Sequence, residues 1–479
     1  MTHETPESDA EFVIVGAGPA GMRAAIDAAG HGLKVIVIDE QDQPGGQIYR
    51  RPPQAFSVKN WLPEKIYESG RLLHRQVTDH EKIQFVHSSS VIGLFKEVAD
   101  HRRFRLVVNG KGRCFDIRAN HVLVATGCHE LPVLFPGWTT PGVMLAGGVQ
   151  VMLKSQQIVP GETFLFVGAH PLQLIVAEQI QRAGGRVAGV VFAQPLQRLL
   201  TVLKSPATML GQAPRMTYFF NVLRKLRKSR TPIIFGTTIV GVEGAQAVSG
   251  AVLAEIDGSG AVDATRTTRL RCDRLALCFN FVASSELPRQ AGADCHWSAS
   301  RGGWLIRHDE WMRSSVSGLY VAGEITGVAG AEASQEEGAI AALGVLLDAG
   351  RLTQDEAMRL ARPVRRRLAD FEKFAGLLAR LAHLDETLTD QLATPDTLMC
   401  KCQEVTVAQV DAALTNNLDI SSASALKLYS RVGMGLCQGR FCHYHVLRKI
   451  AKTRNLAPER VGAFTPQFPV KPTPVGDLI

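Results

Sequence analysis

The sequence predicts an α/β protein in which two strand–turn–helix–strand units precede a small helical domain. Three observations predict it. The stretch EFVIVGAGPAGMRAAIDAAGHGLKVIVIDE, Glu11 to Glu40, runs from an apolar strand through a glycine-rich turn and a helix to a second apolar strand. GETFLFVGAHPLQLIVAEQIQRAGGRVAGVVFAQ, Gly161 to Gln194, repeats that plan. Near the carboxyl end, after the glycines thin out, Cys400, Cys402, Cys437 and Cys442 stand among short helical patterns.

At 479 residues the chain exceeds what one hydrophobic core usually serves, so two or three domains are expected. A content of 46% hydrophobic and 20% charged residues is that of an ordinary soluble protein. Lys and Arg outnumber Asp and Glu by 53 to 45, a net +8 that reads as spread along the chain. Its densest run, RPVRRRLADFEK from Arg362, reads as a solvated helix face, with phosphate binding or partner docking as the minority reading. Nucleic acid is not an expected partner. MTHETPESDA lacks the apolar stretch of a signal peptide, and no window approaches 18 uncharged apolar residues. The expected location is the cytoplasm, with peripheral attachment to the inner membrane as a variant. In that reducing setting Cys114, Cys128, Cys272, Cys278 and Cys295 read as small core residues.

In the first unit Gly16, Gly18 and Gly21 form GxGxxG, with Pro19 and Ala20 inside the motif. Gly16 permits the tight turn, Gly18 lets backbone approach a pyrophosphate, and Gly21 lets helix pack on sheet. A carboxylate ending the second strand accepts from ribose hydroxyls; spacing gives Asp39, with Glu40 as its rival. Three further segments favour FAD over NAD. PGGQIYR brings Gly45, Gly46 and Gln47, HVLVATG ends in Ala125, Thr126 and Gly127, and VSGLYVAGEITG contains Gly323 and Glu324. Together they resemble the marks of glutathione-reductase-like flavoproteins with two dinucleotide-binding domains. There the last motif ends in Gly-Asp, whose acid bonds the flavin ribityl chain; here it is Gly-Glu. Ala329 to Gly338 is expected to begin a helix whose amino end faces the flavin.

The second unit keeps only Gly168 of the motif, with His170 and Gln173 at the other two glycine positions. An imidazole there takes the space a pyrophosphate needs, and the strand-end acid is replaced by Val191. The expectation is a fold kept for packing around a degenerate nucleotide site. No CxxC or CxxxxC pair stands in the first 130 residues, and GxSxG and HExxH are absent. Disulfide reductase, serine hydrolase and zinc peptidase chemistry thus lack their usual signals.

The cysteines read CKC, then CQGRFC. Four thiolates suit [2Fe–2S], with structural zinc and inert thiols as alternatives. CxC puts two ligands on one turn, and Gly433, Gly435 and Gly439 can offer N–H groups to sulfur. Arg431 and Arg440 would offset cluster charge, or are simply solvated helix ends. Thr406 is the expected cap of a helix whose apolar face is Val407, Val410, Ala413 and Leu414. The expected domains are 11–135 and 296–350 for FAD, 136–295 for the degenerate nucleotide fold, 351–395 as helical connector, 396–455 for the cluster and 456–479 as tail.

DEQDQPGGQIYR, PGWTTPGVMLAGGVQ and RVGMGLCQGRFC together resemble the alpha subunits of heteromeric FAD-dependent amino acid and opine dehydrogenases. That family includes part of sarcosine oxidase's large subunit, besides one subunit of hydrogen cyanide synthase. The closing domain resembles the bacterioferritin-associated-ferredoxin type. The resemblance implies an oxidoreductase complex in which an FAD-containing beta subunit oxidises the amino acid, opine or other secondary amine. This chain would hold FAD through Gly16, Gly18, Gly21, Asp39 or Glu40, Gly45, Gly46 and Glu324, and iron through Cys400, Cys402, Cys437 and Cys442. It would relay electrons to a quinone or another carrier; a small ferredoxin-like gamma subunit is sometimes present. No residue of this chain is expected to be catalytic towards the substrate. A self-sufficient NAD(P)H-dependent reductase and an assembly subunit with vestigial cofactors are the rival readings. Substrate, subunit ratio, final acceptor and the order of flavin and cluster are not encoded in readable form.

Overall fold

The structure, a computed structural model, describes residues 9–53, 55–56, 58, 64–97, 103–203, 205–383, 386–416 and 418–478. Its contacts divide the chain into two compact units: Met1–His129, Val282–Ala375 and Thr465–Ile479 form one, Glu130–Phe281 and Gly376–Phe464 the other.

The first unit is built on a seven-stranded sheet. Phe12 to Val15 are apolar without alternation because both faces of their strand are covered, the signature of a buried parallel strand. That strand, β1 (Asp9–Val15), lies between β2 (Val35–Ile38) and the strand Arg113–Val124, parallel to both. Val15 pairs with Ile38, so Asp39 stands just beyond the sheet edge, opposite Gly16. Helix α1 (Pro19–Gly30) covers one face, and the helix Ala331–Asp348 packs closely upon it. Glycine allows that approach: a Cβ on Gly338 would overlap the Ala20 carbonyl. Ala331–Asp348 is buried over most of its length, its small and apolar residues packing on both sides while Ser334, Gln335, Glu336 and Glu337 are buried with them.

Two segments depart from the reading above. In the run from Arg362, Arg365 lies over the Trp311 ring at 4.6 Å and Arg367 forks onto the Glu336 carboxylate with two 2.8 Å bonds. Arg365 and Arg367 are thus engaged with protein, while Arg362, Arg366, Asp370, Glu372 and Lys373 are exposed, as a solvated face requires. The chain end also returns to the first unit. The Val470 N–H donates to the Ile92 carbonyl at 2.8 Å, and Phe468 packs on Phe95.

The second unit contains a five-stranded parallel sheet in the order Ile233–Phe235, Arg186–Phe192, Thr163–Gly168, Arg274–Cys278, Val143–Leu145, and a three-stranded antiparallel meander. The helix Leu172–Arg182 buries Leu174, Val176, Ala177 and Ile180 against it. Within Arg186–Phe192 the pairing slips between Val187 and Gly189, leaving Ala188 as the extra residue of a bulge. The slip corrects the position assigned to the missing acid. Val191 pairs with Val167 inside the sheet, and Phe192 pairs with Gly168, so Phe192 holds the place that Asp39 holds in the first unit.

The cysteine-bearing segment belongs to this second unit. The Trp138 indole N–H donates to the Leu398 carbonyl at 2.8 Å, and His445 Nε2 donates to the Pro132 carbonyl at 2.7 Å. Thr406 caps the helix Val407–Thr415 as a full capping box with Gln409. Val407, Val410, Ala413 and Leu414 are its buried face.

Candidate cofactor sites

The turn after β1 is shaped by what its glycines lack. A Cβ on Gly16 (φ +107°) would overlap the Ala125 carbonyl, and one on Gly21 the Gly16 carbonyl. These two glycines close the turn and seat the helix. Gly18 differs: its Cβ would meet nothing nearer than the Gly46 Cα at 4.0 Å. It is the N-cap of α1, no side chain caps that helix, and Pro19 occupies its first turn. An uncapped helix start beside an open glycine is a ready anion site.

Asp39 holds this turn in place. Its Oδ2 accepts the Ala17 N–H at 2.6 Å and Oδ1 the Gln41 N–H at 2.8 Å. Burial raises its pKa, partly offset by those two N–H groups. Glu40 points elsewhere, accepting from Ser90 Oγ at 3.0 Å and pairing with Lys471. Of the two rival acids, geometry puts Asp39 at the turn. The PGG loop folds onto the same place: Gly45 donates to the Ala17 carbonyl at 2.8 Å, and a Cβ on Gly46 (φ +59°) would press on the Gly18 Cα. Gln47 beside them is exposed.

Ala125, Thr126 and Gly127 close the other side. Ala125 donates to the Val15 carbonyl at 2.8 Å, Thr126 Oγ1 donates to the Ser284 carbonyl at 2.7 Å, and Gly127 (φ +69°) leaves open space where a side chain would be. Gly323 (φ +82°) reaches the same turn, its missing Cβ facing the Ala20 methyl. Glu324 is held by the Cys128 thiol, which donates to Oε2 at 2.7 Å, and by the Gly330 N–H. Burial raises its pKa. Cys128 is thus a polar partner of a site carboxylate, not the core filler the sequence suggested.

Sequence reasoning missed one acid here. Glu337 is buried, and its Oε2 accepts both the Gly323 N–H at 2.7 Å and the Thr326 hydroxyl at 2.8 Å. Burial pushes its pKa up to about 7. The available signal was the Glu336–Glu337 pair next to the apolar run Ala339 to Leu347. The residues of this unit fit a dinucleotide: an uncapped helix start, a glycine cradle that a Cβ would fill, and a half-buried carboxylate at the strand end.

The corresponding turn of the second unit is filled from within. Gly168 is needed for packing, since a Cβ there would overlap the Cys278 carbonyl. His170 Nδ1 accepts the Leu172 N–H at 3.2 Å, taking a backbone donor of the helix start, and its ring stands edge-on to Phe281 at 5.1 Å. Burial lowers the His170 pKa to about 4, so the ring is neutral near pH 7. Gln173 Nε2 donates to the Val191 carbonyl, and Gln194 Nε2 to the Ala169 carbonyl at 2.7 Å.

The four carboxy-terminal cysteines come together as two pairs. All four are free thiols: Cys400 and Cys442 are buried and hydrogen-bonded to each other, and Cys402, exposed, is hydrogen-bonded to Cys437. The bond from Cys442 and the N–H of Gly433, 3.5 Å from Sγ, hold the Cys400 pKa down to about 6. Cys442 is pushed well above its usual range, first by that bond and then by burial. The three glycines work by absence: Cβ atoms on Gly433 and Gly439 would overlap the Phe464 ring, and one on Gly435 the Cys402 Cβ. Arg431 Nε donates to Gln403 Oε1 and Arg440 Nη1 to the Cys437 carbonyl. Among the described residues no group of three or more His, Cys, Asp or Glu is arranged to hold a metal ion. The donor set, soft thiols with a backbone N–H on one sulfur, is of the kind that iron–sulfur centres and structural zinc both use.

Known proteins share this layout. The model of the pyridine nucleotide-disulphide oxidoreductase family matches residues 10–342, and that of the sarcosine oxidase A3 domain matches 396–479. Hydrogen cyanide synthase subunit HcnB of Pseudomonas protegens is 31% identical over 464 residues, spanning 96% of each chain. An opine oxidase subunit of Rhizobium meliloti is 30% identical over 477 residues, 98% of this chain and 87% of that one. Among solved structures, L-proline dehydrogenase from P. horikoshii has a TM-score of 0.68 at 18% identity, covering 98% of this chain and 79% of that one. Thioredoxin reductase of T. acidophilum has a TM-score of 0.52 at 20% identity, over 72% of this chain and 99% of that one. At these identities the structural likeness speaks for the fold alone.

Proposed function

We propose, for a chain that belongs to the pyridine nucleotide-disulphide oxidoreductase family and is a relative of HcnB and of an opine oxidase subunit, the role of electron-transfer subunit in a heteromeric amine dehydrogenase. The chain is an oxidoreductase with a flavoprotein fold. In this reading a partner subunit oxidises an amino acid or opine at its C–N bond, and this chain accepts the electrons. FAD would supply the chemistry of a two-electron carrier that also exchanges single electrons.

The observation that carries the reading is the contrast between the two glycine turns. α1 starts without a side-chain cap beside an open Gly18, whereas His170 already occupies the helix start in the second unit. FAD would rest on the first turn, with its pyrophosphate at Gly18 and its adenosine ribose at Asp39. Ala125, Thr126, Gly127, Gly323 and Glu324 would line the rest, and Cys128 and Glu337 would keep Glu324 and Gly323 in position. Cys400, Cys402, Cys437 and Cys442 would ligate [2Fe–2S], and the Gly433 N–H would lower the charge on sulfur. A quinone or other carrier and a small gamma subunit would complete the route, in the cytoplasm.

Addition of NADH to the purified flavin-loaded chain, without oxygen, tests the direction of flow. The flavin absorption is expected to persist for minutes and to bleach once substrate is added together with the partner subunit. Immediate bleaching by NADH would instead make the chain a self-sufficient reductase.

A further inference from the structure

Between the strands Arg186–Phe192 and Ile233–Phe235 the second unit sends out a run of short helices, Leu196–Leu199, Leu200–Leu203, Pro206–Gly211 and Ala213–Lys228. None of the candidate cofactor residues lies on it. Its charge is one-sided. Residues 179–242 contain ten Lys or Arg and no Asp or Glu, in a chain that has 45 acidic residues elsewhere. The positive excess is thus not evenly spread, as composition alone suggested; it is concentrated here by the absence of acids.

The same run exposes large apolar side chains. Leu196, Leu199, Leu200, Leu210 and Phe220 are 56%, 46%, 55%, 78% and 68% exposed. These are not displaced core residues, because the core is already served. The helix Ala213–Lys228 buries Val222 and Leu226, with Tyr218, Phe219 and Leu223 packed beside them. Its opposite face presents Thr217, Phe220, Arg224 and Lys228 at helical spacing, with Arg227 adjacent, and all are exposed. Lys225, on the flank, reaches Glu178 at 2.7 Å and ties the helix to the unit.

We propose that this excursion seats the protein on the surface of an anionic lipid bilayer. Leu196, Leu199, Leu200, Leu210 and Phe220 would enter the boundary between headgroups and acyl chains. Arg224, Arg227 and Lys228 would extend their stems along it and place their charges among the lipid phosphates. Charge complementarity selects this occupant. A protein partner would need an acidic surface matching a whole helical excursion that carries no acid of its own. A bilayer with anionic headgroups offers negative charge and apolar depth along its full plane. Attachment is in-plane, since no helix among the described residues is long and apolar enough to cross. The proposal does not depend on flavin or iron.

Flotation of the full-length protein with phosphatidylcholine vesicles, with and without phosphatidylglycerol, tests it. Strong flotation is expected only with phosphatidylglycerol present. Arg224→Gln and Arg227→Gln are each expected to weaken it about fivefold. Phe220→Ser is expected to weaken it on the order of tenfold. All three positions are exposed, so unchanged thermal melting is expected. Absence of flotation on the anionic vesicles, or equal flotation of wild type and variants, would overturn the proposal. So would loss of complex formation in Phe220→Ser without any vesicle binding by the wild type, which would assign the face to a protein.

Discussion

Gly18 and Gly21 sit three residues apart, yet substitution should damage them in different ways. A Cβ on Gly21 overlaps the Gly16 carbonyl, a backbone atom that cannot yield. Gly21→Ala is expected to cost on the order of 2–4 kcal/mol, read as a lowered melting temperature. A Cβ on Gly18 meets only the Gly46 Cα, at an unstrained 4.0 Å, so Gly18→Ala should melt as the wild type does and lose flavin on gel filtration. Equal melting losses in both variants would mean that Gly18 serves the fold rather than a ligand. Glu337 gives a pH signature. Its folded pKa of about 7 lies above the ordinary 4.5, so the native state binds the extra proton between those values. Stability from this group is present below pH 4.5 and lost as pH rises through 7. Glu337→Gln keeps an oxygen to accept from Gly323 and Thr326 without the buried charge. It should melt higher than wild type at pH 8 by about 1–3 kcal/mol and equally at pH 5. A lower melting point at pH 8 would show that the charged form is favoured. The turn glycines and Asp39 were legible because a turn and a strand end fix their spacing. Glu337 and Cys128 were not, because their roles come from contacts over 14 and 196 positions.

At the scale of elements, the two turns show how one plan supports different chemistry. Both place a helix after a parallel strand, and the sequence displayed both. What it did not display was the bulge at Ala188, since a single extra residue leaves the apolar pattern unchanged while shifting register. Spacing therefore pointed to Val191 where the sheet presents Phe192. The cap of the helix Val407–Thr415 was legible, because Thr406 and Gln409 are local partners with a known spacing. Removing it by Thr406→Ala is expected to cost about 1 kcal/mol. Hydrogen exchange should then quicken across Val407–Thr415; unchanged exchange would mean that packing alone holds the helix. The return of the chain end to Ile92 and Phe95 was invisible, since a short extended segment has no periodicity of its own.

At the scale of the whole molecule, the chain joins two nucleotide-fold units of unequal competence with a cysteine module carried by the second. In the second unit the turn corresponding to the first unit's glycine turn is occupied by its own imidazole and amides, and the proposed role as a receiver of electrons rests on that contrast. The central claim is that FAD and an iron–sulfur centre occur together on this one chain. Flavin, iron and acid-labile sulfide should therefore be counted on anaerobically purified protein, beside a Cys400→Ser, Cys437→Ser double variant. The account predicts about one FAD, about two irons and about two sulfides per chain, with iron and sulfide lost and flavin kept in the variant. Wild-type protein that holds flavin but neither iron nor sulfide would contradict it.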